Sequence, residues 1–167
     1  MDDDEGRAAM TMALLEVADI ELRGCDTMAP VIALGQREGG RLTAYAHLKP
    51  LPGASGPFPF DITPAQRAFH QDGVDLFGLC YGVWRDRNDS LIAQPQGFPG
   101  RQAGVIAVIG RRGSVAATFY QIDWQDGAFA GFGSAVKLAT APVGDLLADP
   151  ADGVVISMET WKGEHNT

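Results

Sequence analysis

The chain has 167 residues, enough for one domain with a sizeable core, and its 46% hydrophobic and 20% charged content is that of an ordinary globular protein. A formal net charge of −8 argues against a nucleic-acid backbone as the main partner, because phosphate contacts need concentrated Lys and Arg. No apolar run approaches the ~20 residues a membrane helix needs, and the acidic start Met1-Asp2-Asp3-Asp4-Glu5 is the reverse of a basic secretory leader. Only two cysteines are present, Cys25 and Cys80. They read as reduced thiols, so a cytoplasmic location is expected.

Residues 5–18 carry Met10, Ala13, Leu14, Val17 and Ala18 at helical spacing, which predicts a first amphipathic helix. Its leading acids would sit at the positive end of the helix dipole. Pro30 to Leu34 and Leu42 to Leu48 are apolar or alternating runs around the turn-rich stretch Gly35-Gln36-Arg37-Glu38-Gly39-Gly40, the pattern of a β-hairpin. Residues 50–60 hold four prolines and two glycines, which predicts a loop of limited flexibility. Thr63, Pro64 and Gln66 then supply an N-cap, a first-turn proline and a capping-box partner for a middle helix at about 64–72, with Gly73 as its stop.

Val74 to Trp84 is almost continuously apolar and predicts a central strand buried on both faces. Gly104 to Ile109 and Ser114 to Ile122 read as two further strands around Gly110-Arg111-Arg112-Gly113. The arginine pair reads as part of a turn. Trp124 and Phe129 flank Gln125-Asp126-Gly127, a hairpin signal. Gly131-Phe132-Gly133 looks like a fragment of a phosphate loop without its second half, and is expected to be a turn. A short helix over 142–148, a last strand over 153–158 and a loose tail from 162 complete the reading. The expected fold is a single α+β domain spanning 1–167, with a central, largely antiparallel sheet and loose ends at 1–5 and 162–167.

The pattern that suggests chemistry is His47-Leu48-Lys49-Pro50, seven residues, Phe58, two residues, Asp61. A hydrolytic zinc needs about three protein ligands and an open position for water, with a carboxylate nearby to take the water's proton. In part the pattern resembles the motif of the MPN/JAMM metalloprotease family: His-x-His-Pro, seven residues, Ser, two residues, Asp, with an upstream Glu. His47, Pro50 and Asp61 match with the spacing kept, and Glu21-Leu22-Arg23-Gly24 matches the upstream segment. The resemblance covers roughly residues 10–85. It implies a mixed sheet scaffold, His47 and Asp61 as metal ligands, and Glu21 as general base if the site is active.

Two positions depart from that motif. Lys49 replaces the second His and Phe58 replaces the Ser. A lysine ammonium has no lone pair to donate and repels a divalent cation. His70 lies seven residues past the helix cap, so the helical rise carries it roughly 10 Å away along the axis. The expectation is therefore a scaffold that has lost its metal and needs no cofactor. Such a chain would act as a non-catalytic binding or assembly module toward a protein partner or another copy of itself. The alternatives are an active zinc-dependent hydrolase or isopeptidase, and a structural subunit of a larger assembly.

Other residues carry an ordinary reading beside a functional one. Cys80 would serve as a nucleophile with His47 or His70 as base, but an unpaired cysteine in an apolar strand reads first as a small core residue. His70 reads as half-exposed on a helix side and His165 as solvated in the tail. Phe58 and Phe60 sit among prolines, and Phe98 in a second aromatic loop. They would form a docking patch if exposed and would staple the loops to the core if not.

Overall fold

The computed structural model describes residues 3–35, 42–47, 76–85, 87–88, 91–92, 101–111 and 114–138. Helix α1 spans Asp3–Cys25. The strands that follow are β1 (Val31–Gly35), β2 (Leu42–His47), β3 (Leu76–Arg85), β4 (Leu91–Ile92), β5 (Gly104–Arg111), β6 (Ser114–Gln125) and β7 (Ala128–Lys137). They form one sheet in the order β2-β1-β3-β5-β6-β7, with β4 paired to the end of β3. Every pairing is antiparallel. The architecture is thus α+β with a dominant antiparallel sheet, as the patterning predicts. The expected middle helix at 64–72, the helix at 142–148 and the strand at 153–158 lie outside the described residues. Among the described residues no helix is long and apolar enough to cross a membrane.

Helix α1 runs seven residues past the expected end at residue 18. The reason is visible in its buried stripe, Met10, Leu14, Ala18 and Leu22, which repeats every four residues and reaches the core through the last turn. The helix stops where Asp26 takes a φ of 61° and its N–H donates to the Leu22 carbonyl at 3.1 Å, a left-handed cap made with aspartate in the place glycine usually takes. The stripe lies on β3 at Gly78. A side-chain carbon there would come within 2.7 Å of Leu14 and 2.8 Å of Met10, so the missing side chain sets how closely helix and sheet approach.

Strand β3 is central, and its first eight residues are all buried. Leu76 and Cys80 belong to the core on the α1 side. Phe77, Leu79, Tyr81 and Val83 alternate with them onto the other face and are equally buried. A strand covered on both faces has no polar side to present, which is why its sequence is a continuous apolar run.

One local expectation changes. Gly131-Phe132-Gly133 is part of strand β7 rather than a turn. The hairpin expected at Gln125-Asp126-Gly127 is present: Asp126 (φ 51°) and Gly127 (φ 84°) both take positive φ, the two-residue turn that matches strand twist. The glycines of β7 instead accompany irregular register between Tyr120 and Ile122 and between Asp123 and Trp124. Such bulges bend and twist a strand.

That bending has a large-scale result. Flat, six strands would spread over about 24 Å at the usual spacing, whereas a helix is about 10 Å wide. Yet the last turns of α1 touch both ends of the order: Glu21 meets His47 on β2, and the Arg23 guanidinium lies 5.1 Å from the centre of the Phe129 ring on β7. The sheet curls around the C-terminal end of α1. Phe129, Ile122 and Leu22 accordingly share one core with Met28 and Val31.

Candidate functional site

The curled end of the sheet gathers the polar groups. The strand registers place His47, Val31, Cys80, Ala107 and Thr118 in one row across β2, β1, β3, β5 and β6. Directly opposed residues in antiparallel strands point to the same face, so His47 shares the face that α1 covers. Glu21 projects from the penultimate turn of α1. Its two carboxylate oxygens each lie 3.2 Å from Nε2 of His47. The Oε1 atom also accepts the backbone N–H of Ala29 at 3.4 Å. The pair is half in water: side-chain exposure is 51% for His47 and 23% for Glu21.

A carboxylate whose oxygens both face one ring nitrogen has only acceptors to offer. That nitrogen therefore carries the hydrogen and donates it. In this arrangement Nε2 has no lone pair left for a metal. Two of the three residues that the family resemblance singles out, Glu21 and His47, thus come together across 26 positions of sequence and engage each other. The third, Asp61, lies outside the described residues, as do Lys49, His70 and the phenylalanines Phe58, Phe60 and Phe98. Among the described residues no group of three or more His, Cys, Asp and Glu side chains converges. Glu21 and His47 alone do not make up a zinc ligand set.

Cys80 lies in the same row but two strands from His47, roughly 10 Å at the usual strand spacing. Its side chain is fully buried, and burial together with the negative charge of Glu21 pushes its thiol up to about 12. A thiol in that state supplies no thiolate near neutral pH. Cys80 is a core residue. Cys25, at the exposed end of α1, is the free thiol that solvent reaches. Burial also raises the Tyr81 hydroxyl, with a smaller push from Cys80. Tyr120 is raised by partial burial, against a hydrogen bond from Thr118 that acts to lower it.

The sequence pattern gave no hint of Gln102. It is the one buried side chain of polar or charged type among the described residues, 1% exposed. Its Oε1 accepts the Met28 N–H at 3.2 Å and its Nε2 donates to the Met28 carbonyl at 3.5 Å. It occupies the space over Gly82, where a side-chain carbon would fall 2.0 Å from Nε2. Beside it, the Trp124 indole N–H donates to the Gln102 carbonyl at 2.9 Å. The Arg101 guanidinium stacks 4.8 Å over the Trp124 ring and donates to the Gly127 carbonyl. A glycine inside an apolar strand was the only signal, and it names no partner.

No family model, curated protein or solved structure matches this chain.

Proposed function

We propose that the protein is a non-catalytic binding or assembly module built on a degenerate metalloprotease-like scaffold. One observation carries the reading: the residue that matches the general base and the residue that matches the first metal ligand bond each other, with both Glu21 oxygens 3.2 Å from His47 Nε2. In a working hydrolase the imidazole lone pair belongs to the metal, and the carboxylate must be free to take a proton from water. Here each occupies the other. Lys49, at the position of the second histidine, adds an ammonium where a third donor would stand. The partner is a protein or a second copy of the chain, and the phenylalanines Phe58, Phe60 and Phe98 are the anchors proposed for it.

Metal analysis of protein purified without chelator tests the reading, with Lys49→His measured alongside. The expected result is no stoichiometric metal in the unaltered chain and a gain of zinc binding in Lys49→His. Stoichiometric zinc in the unaltered protein, lost on His47→Asn, would favour the zinc-dependent hydrolase instead. The docking half of the proposal is tested by Phe58→Ser with Phe60→Ser. Weaker association at unchanged stability supports docking, and lower stability at unchanged association removes it.

A further inference from the structure

We infer that Gln102 is a positioning residue for the Glu21–His47 pair, acting through the peptide unit between Met28 and Ala29. The inference rests on the proposed reading in which Glu21 and His47 engage each other in place of a metal. The Met28 carbonyl accepts from Gln102 Nε2, while the Ala29 N–H of the same peptide donates to Glu21 Oε1. In a trans peptide these two groups point in opposite directions. Gln102 therefore grips one edge of a single planar unit and Glu21 the other. A hydrogen bond received at the carbonyl polarises the amide and makes its N–H a better donor, so the two contacts reinforce each other. The second Gln102 contact, from the Met28 N–H at 3.2 Å, belongs to the preceding peptide and holds Met28 from its other side.

Gln102 is itself fixed from three sides. Gly82 leaves the room its amide fills, the Trp124 indole holds its carbonyl, and the Ala103 N–H donates to the Val83 carbonyl at 2.8 Å. A rigid chain of contacts thus runs from the entrance of β5, through the α1–β1 connection, to a carboxylate at the surface. Without it the Ala29 N–H is free to turn away, and Glu21 loses the contact that aims it at His47. Glu21 and Gln102 make no direct contact in this scheme, so a purely local role for Gln102 would leave His47 untouched.

The test reads the His47 ring nitrogens by NMR in histidine-labelled full-length protein at fixed pH, with His47→Asn assigning the signals. Glu21→Gln provides the reference displacement. Gln102→Met, which keeps the length and removes the donor and acceptor, is expected to move the His47 signals in the same direction. Combined with Glu21→Gln it is expected to add nothing further, because coupled residues are non-additive. Val108→Ala, a core change on the face away from α1, is the control for general loosening and should leave them in place. If Gln102→Met does not fold, Gln102→Asn retains the amide but falls one bond short of Met28. A displacement by Glu21→Gln with none from either Gln102 variant overturns the inference alone. No displacement by Glu21→Gln overturns the paired site, and the inference with it.

Discussion

Glu21 and Gln102 hold the same turn from two sides, and they do so in different surroundings. The Glu21–His47 contact is half in water, so its attraction is screened and each side chain gives up rotamer freedom to hold it. The Gln102 clamp is neutral and 1% exposed, so its partners have no water to fall back on. A contact open to water is therefore the weaker of the two for stability, although it is the one that looks like chemistry. The difference separates a buried joint that keeps the fold from a pair that water reaches.

The comparison breaks if the two halves respond alike to mutation. Gln102→Ala strands the buried Met28 N–H and carbonyl, and is expected to cost about 2 kcal/mol. Urea denaturation followed by Trp fluorescence checks this, and a loss no larger than that of a surface substitution would show the clamp to be idle. Next in size is an alkaline effect from the buried row beneath the pair. Because Cys80 is raised from 9.0 to about 12, its contribution to stability is complete below pH 9 and declines as pH rises from there toward 12. Cys80→Ala should flatten that part of the stability curve. A profile equally steep in the variant would assign the loss to other groups. Smallest is the exposed pair itself: Glu21→Gln or His47→Asn should cost under about 1 kcal/mol, and less as salt is added. A cost equal to that of Gln102→Ala, insensitive to salt, would mean that water does not reach the pair.

The parts of the molecule that were legible in the sequence are those where neighbours in the chain are neighbours in space. The β1–β2 hairpin and the Asp126-Gly127 turn announce themselves through local turn chemistry. Strand β3 is legible for another reason, since burial on both faces leaves an unbroken apolar run. Glu21 and His47 were singled out through the resemblance to a family motif, but their contact depends on the length of α1 and on β2 pairing with β1 in one register. Shifting that register by one residue would turn His47 to the opposite face. The β7 bulges were misread as a turn because glycines mark both, and only the pairing with β6 tells them apart.

By itself the amino-acid order determined the class of the fold: an acidic α+β domain with a helix in front, hairpins, and one strand too apolar to touch water. Hydrophobic period and turn residues act over a few positions, and they are enough for that. Only the tertiary structure decided that the sheet curls around the end of α1, that Glu21 meets His47, and that Gln102 fills the space over Gly82. These are contacts between residues 20 to 106 positions apart, and they depend on summed twist, bulges and strand register rather than on any local preference.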